Sequence, residues 1–358
     1  MLKTSVQQDI GREMRVVGER LGKGGMLFAK QVRLLLIQAA LLAGMPLYSM
    51  AATPTPDQMT QVPLFTFTAQ FGKTTSDCVF EIPAMGTNLD GVTVTWSGSC
   101  LDGLVSGPGR LRGALGEHEV FSYEGRMLVG MPDGEGTYHL SGVITLTGRF
   151  QGTKLDDEHA VISTEQGFRY EGAAKGNWPD GFGVAVFPDG ARYEGQWHHG
   201  KPEGHGVKVW TSGVRYDGEW RAGKRSGQGV VTYSSGARYE GEFQDGKRNG
   251  HGVWSTASGV RYEGHWQDDA LNGPGSLISP SNGQQYDGEL LKGRPNGKGV
   301  AVSADGMRYD GEWSDGKYNG TGTLTLPGEP PFAGTWVNGC FSDRGRRAAL
   351  GKSQQGCQ

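Results

Sequence analysis

The tripeptide Tyr-[Glu/Asp]-Gly occurs at Tyr170, Tyr193, Tyr216, Tyr239, Tyr262, Tyr286 and Tyr309, at intervals of 23, 23, 23, 23, 24 and 23 residues. A fixed period in this range marks an array whose units bury apolar surface only against their neighbours. Looser copies at Trp96, Tyr123, Leu146 and Phe332 bring the count to about eleven units. Glycine supplies 62 of 358 residues and apolar side chains only 36%, which argues against a large globular core. Rings placed at fixed intervals between the glycines argue equally against Gly-rich disorder. A formal charge of −3 argues against a nucleic-acid partner, which needs a basic surface.

Each unit reads as a β-hairpin. In GVKVWTSGVRYDGEW, beginning at Gly206, two alternating stretches flank Ser212-Gly213, and Asp189-Gly190, Ser235-Gly236, Ser258-Gly259 and Asp305-Gly306 hold the same place. These dipeptides predict two-residue hairpin turns. Side chains alternate along a strand, so Tyr216, Gly218 and Trp220 share a face, and the glycine leaves a slot for a neighbouring ring. A two-residue turn sets Val209 opposite Tyr216 and Val207 opposite Gly218. The seam has Tyr170, Tyr193, Trp197, Tyr216, Trp220, Tyr239, Phe243, Tyr262, Trp266, Tyr286, Tyr309 and Trp313 as its expected core. The other face carries Arg192, Arg215, Arg238, Arg261 and Arg308, each with an acid two residues on, and reads as a solvated charge ladder.

The pattern YEGxWxxGxxxGxG at a 23-residue period resembles the MORN family, the membrane occupation and recognition nexus repeats, from Trp96 to Gly339. The resemblance implies an all-β, elongated, twisted single-sheet array of hairpins, with roles in membrane association, scaffolding and dimerisation. MORN arrays also accompany catalytic domains, in plant phosphatidylinositol phosphate kinases and a histone lysine methyltransferase. Neither flank of the repeats here is long enough for such a domain, so no enzymatic activity and no cofactor are expected.

Candidate chemistry is sparse. GQWHHGK (from Gly195), GEWRAGK (Gly218), GEFQDGK (Gly241) and GEWSDGK (Gly311) match the start of a phosphate-binding loop. That loop needs a Ser or Thr after the lysine and a helix behind it. Here Pro202, Arg225, Arg248 or Tyr318 follows, then more glycine. His198, His199 and His205 lie in one unit and could hold a metal, although zinc sites usually show tighter, cysteine-assisted spacing; His251 lies about 19 Å from His205, four strands away. No metal site is assigned. Asp156-Asp157-Glu158 and Asp268-Asp269 read as solvated loop charges.

Two surfaces remain as candidates. Lys201, Lys224, Arg225, Lys247, Arg248 and Lys317 recur along one edge of the sheet, where they would protect it or dock to anionic lipid or envelope polymer. The two-residue turn also puts Phe187 opposite Arg192, Trp210 opposite Arg215, Tyr233 opposite Arg238 and Trp254 opposite Glu263. That arrangement forms a strip of rings on the charged face, suited to sugars or an anionic polymer.

The ends set the compartment. Lys30 and Arg33 precede the apolar run Leu34 to Gly44, then Pro46 and the small-residue site Ser49-Met50-Ala51. This reads as a secretory signal cut near Ala51, with Met26 as the true start. The organisation is then residues 1–51 as extension and signal, 52–95 as linker and cap, 96–339 as the array and 340–358 as a C-terminal cap. Ends on the order of 100 Å apart leave Cys78–Cys100 and Cys340–Cys357 as the expected disulfides. The sequence therefore reads as a non-enzymatic periplasmic or secreted binding or scaffolding protein. Its expected partner is anionic lipid, envelope polymer, another protein or a second copy, and a carbohydrate-binding or carbohydrate-active protein is the alternative.

Overall fold

A computed structural model describes residues 68–84, 89–343 and 346–349, and every regular element among them is a β-strand. The described residues fall into two units, 68–283 with 290–293, and 284–289 with 294–349. Within each, strands follow one another in antiparallel hairpins, as Lys201–Val209, Arg215–Arg221, Lys224–Thr232 and Arg238–Gln244 do in the first. In the second, Arg294–Val302, Arg308–Ser314, Lys317–Thr325 and Phe332–Val337 repeat the arrangement.

The turns correct the expected register. Trp210 donates its N–H to the Val214 carbonyl at 2.9 Å and Gly213 donates to the Trp210 carbonyl at 2.9 Å. The loop is thus Thr211-Ser212-Gly213, with Gly213 left-handed at φ 81°, the three-residue hairpin loop that closes on an αL glycine. Val209 faces Arg215, Lys208 faces Tyr216 and Gly206 faces Gly218. The expected pairs Val209–Tyr216 and Val207–Gly218 do not form. A one-residue slip sends every side chain of the first strand to the other face.

Two-residue turns occur at the other end of the unit. Arg221 pairs with Lys224 around Ala222-Gly223 at φ 48° and 83°, the positive pair of a type I′ turn. His199-Gly200, Asp245-Gly246 and Asp315-Gly316 repeat it, and Asp268-Asp269 does so without glycine. The Gly-Lys of the phosphate-loop-like motifs is the exit of this turn into a strand, so the strand–loop–helix context of a nucleotide site is not present there.

The seam is built on stacked glycines. Gly218 sits between Gly206 and Gly229 on the neighbouring strands. A Cβ on Gly229 would lie 2.4 Å from the Tyr216 hydroxyl, and one on Gly218 would lie 2.5 Å from the Gly229 Cα. The Tyr216 ring crosses this glycine layer and donates its hydroxyl to the Glu219 carbonyl at 2.9 Å. Trp220 donates its Nε1–H to the Gly206 carbonyl at 2.9 Å and stands edge-on between Tyr193 and Tyr216, with centroids 5.4 and 5.1 Å away. Tyr193, Tyr239, Tyr286 and Tyr309 make the same hydroxyl bond three residues on. All twelve residues expected in the core are buried.

Before the repeats, Thr68–Lys73 pairs with Val79–Ala84, and Val79 lies parallel to Leu104. Cys78 and Cys100 are joined, with Cα atoms 6.0 Å apart. Cys340 is also disulfide-bonded. Its expected partner Cys357 lies outside the described residues, as do the signal segment and Met26.

Candidate functional site

The expected ligand strip does not exist as a face. Phe187, Trp210, Tyr233 and Trp254 take the same side as the Tyr/Gly/Trp seam, because their loop has three residues rather than two. Phe187 bonds back to Ala191, Trp210 to Val214 and Tyr233 to Ala237, rather than facing Arg192, Arg215 and Arg238. Trp254 faces Tyr239 on one side and Tyr262 on the other, not Glu263. Phe187 is buried against Phe168, and Tyr233 packs on Trp254 with centroids 5.2 Å apart. These rings extend the core. Lys208, which the sequence reading passed over, is buried among them with its Nζ 4.5 Å from the centre of Phe187 and 5.2 Å from that of Trp210.

The basic edge is also partly reassigned. Arg225 is buried, donates to the Gly246 carbonyl and lies 5.1 Å from the Phe243 ring centre. Arg248 lies 4.3 Å from the Trp266 ring centre and bonds Asp269 at 3.0 Å. Both belong to the seam, where Pro202 holds the equivalent place. Lys201, Lys224, Lys247 and Lys317 are exposed. Lys224 pairs with Asp245 at 3.2 Å and Lys247 with Asp268 at 3.0 Å, and the Asp268 carboxylate raises the Lys247 pKa through that hydrogen bond and its charge. Much of the edge charge is thereby neutralised.

The outer face combines charge with apolar area. Arg192–Glu194, Arg215–Asp217, Arg238–Glu240, Arg261–Glu263 and Arg308–Asp310 pair along their own strands at 2.5 to 2.7 Å. Across the sheet the arginines alternate with other strands' residues: Arg169, Val186, Arg192, Val209, Arg215 and Thr232 follow in register. Beside them run Glu171, Val184, Glu194, Val207, Asp217 and Val230. Val186 and Val209 are exposed, as is Phe182 at 59%. The slipped register hid these valines from the sequence reading.

Carboxylates tie the bulged strands together. Glu219 accepts the Gln228 N–H, Glu242 that of His251 and Glu312 that of Thr321. Burial raises the seam tyrosines: Tyr123 and Tyr309 are pushed up to about 12, and Tyr170, Tyr193, Tyr239, Tyr286 and Tyr318 shift the same way. Asp157 is lowered; burial opposes this, but the N–H groups of His159 and Arg149 and the nearby charges outweigh it.

These strands, turns and glycine layers define a tandem β-hairpin repeat protein. Eight segments, residues 123–141, 170–192, 193–215, 216–238, 239–261, 262–284, 286–308 and 309–328, match the profile of the MORN repeat. The chain belongs to the MORN-repeat family, a membership that suggests a membrane- or protein-binding scaffold role. Comparison with curated proteins finds no match. Among solved structures, the chain is similar to the SAS-4 (dCPAP) TCP domain of Drosophila melanogaster, solved in complex with a proline-rich motif of Ana2 (dSTIL). That likeness has a TM-score of 0.29 at 11% identity and covers 52% of this chain and 96% of that one.

Proposed function

We propose that this chain is a non-enzymatic binding and scaffolding protein working in an oxidising compartment, with a protein partner seated on the outer face of its repeats. The observation that carries this reading is the alternation of Arg–acid pairs with Val184, Val186, Val207, Val209 and Val230 across consecutive strands. Charge next to β-branched apolar side chains gives a partner both desolvated contact and electrostatic register. The lipid reading has less support, because Lys224 and Lys247 are already paired with acids. A sugar platform loses its basis with the rings turned into the seam. The Cys78–Cys100 disulfide supports export, as does the signal-like sequence around Leu34 to Ala51.

The test is retention from envelope extract on immobilised wild-type chain and on the variant Arg192→Glu, Arg215→Glu, Arg238→Glu, with anionic vesicles and neutral glycans assayed in parallel. The expected outcome is a protein retained by wild type and lost from the variant, at an unchanged circular dichroism spectrum. Retention of that protein by the variant, or binding confined to vesicles or glycans, overturns the reading. Size measurement of the chain alone distinguishes a second copy from a different partner.

A further inference from the structure

Asp180, His198 and His199 come together at one turn in the array, and the fold does not require that combination. His198 ends the strand Arg192–His198, and His199 opens the type I′ turn at φ 45°. Asp180 lies on the preceding strand, Trp178–Val186. Its Oδ2 accepts the His199 N–H at 3.1 Å and lies 3.2 Å from the His198 Nδ1 and 4.0 Å from the His199 Nδ1. One ligand atom from each residue falls within 4.8 Å of the other two. Both imidazoles are exposed, so an ion has direct access from solvent.

The other units carry the same cap without the same residues. The side chain at the Asp180 position caps the N–H that opens the next two-residue turn: Glu203 caps Ala222, Asn272 caps Lys292 and Asn319 caps Asn338. A neutral amide serves as well as a carboxylate, so the charge of Asp180 is not needed for the cap. At the two positions of the His198-His199 pair the other units carry Arg221-Ala222, Gln244-Asp245, Gln267-Asp268, Leu291-Lys292 and Ser314-Asp315. Neither imidazole is needed for the turn. The cap bond meanwhile fixes the carboxylate in place, as an outer-shell hydrogen bond does for a metal ligand.

We infer that Asp180, His198 and His199 form a site for one divalent transition-metal ion of the zinc class, held by two imidazole Nδ1 atoms and one carboxylate oxygen. Tetrahedral coordination at the usual Zn–N and Zn–O lengths sets ligand atoms about 3.4 Å apart. The His198–Asp180 pair stands close to this, and a small rotation of the exposed His199 ring closes the remainder. Two nitrogens and one oxygen suit zinc, copper or nickel and disfavour magnesium and calcium, which demand oxygen. Three protein ligands leave at least one coordination position for water or for a donor from a partner. His205, grouped with this pair in the sequence reading, instead meets Asp217 at 3.1 Å.

The full chain, stripped with chelator, is titrated with Zn²⁺, Mg²⁺ and Ca²⁺ by calorimetry. One equivalent of Zn²⁺ is expected to bind and neither of the others. His198→Ala and Asp180→Asn should each weaken Zn²⁺ binding about tenfold or more. Asp180→Asn retains an oxygen for the cap, so its melting temperature should match wild type and a folding defect cannot mimic the loss. His251 and His265 face each other with ring centres 5.9 Å apart and are the natural control. The inference fails if Zn²⁺ does not bind stoichiometrically, if His198→Ala and Asp180→Asn bind like wild type, or if binding disappears only with His251→Ala and His265→Ala.

Discussion

At the scale of single residues, the seam rests on pairs of glycines facing each other under a tyrosine ring. A side chain at Gly218 has no direction to take: the Gly229 Cα, the Gln228 carbonyl and the Tyr216 hydroxyl all lie within 2.7 Å of its Cβ position. Two of those atoms belong to backbone, which cannot swing aside as a flexible side chain can. Gly218→Val is therefore expected to destabilise the repeats by about 1–3 kcal/mol through overpacking. Tyr216→Phe keeps the ring and removes the hydroxyl's bonds to the Glu219 carbonyl at 2.9 Å and the Ser226 carbonyl at 3.4 Å, for an expected loss of about 0.5–1.5 kcal/mol. Denaturant melts of both variants check the order. A Gly218→Val variant as stable as wild type would mean that the glycine layer is not closed.

At the scale of the element, the two kinds of turn divide the work. The three-residue loop sets register, and the two-residue turn reverses the chain with two positive φ angles. Ala222 adopts φ 48°, a region that costs an L-residue roughly 1–2 kcal/mol. Ala222→Gly is expected to stabilise by about 0.5–1 kcal/mol after the glycine's larger unfolded-state entropy is counted, seen as a raised denaturation midpoint. No change or a loss there would show that the turn is not strained. These turns also mark where the sequence stopped being readable. The Tyr/Gly/Trp alternation was legible because one strand carries it without interruption. The facing strand was not, because Asp-Gly occurs at both ends of the unit: Asp189-Gly190 in a three-residue loop and Asp245-Gly246 in a two-residue turn. Placing the tight turn at the wrong end moved Phe187, Trp210, Tyr233 and Trp254 to the wrong face and concealed the outer valines. Asp180 was missed for another reason. Its meeting with His198 and His199 depends on which strands are neighbours at the turn, and no spacing within one unit encodes that.

At the scale of the whole molecule, the same tyrosine recurs in both units, buried in each among the described residues. Folding raises the pKa of Tyr123, Tyr170, Tyr193 and Tyr239 in the first unit and of Tyr286, Tyr309 and Tyr318 in the second. Burial is the leading cause at each, because ionisation would put a phenolate against carbonyls and neighbouring rings. An unfolded tyrosine releases its proton near pH 10, so above that pH the folded chain binds more protons than the unfolded one. Stability then falls as pH rises. The contribution of these groups is complete below about pH 10 and is lost as the pH passes through about 12 at Tyr123 and Tyr309. The surface pairs do not set this limit, because exposed pairs contribute little. Alkaline titration is therefore expected to show little tyrosinate absorbance from the seam near pH 10. A steep rise should follow at higher pH, coincident with loss of the β-sheet circular dichroism signal. Gradual ionisation of all tyrosines near pH 10 with the sheet signal intact would show that the rings are open to water.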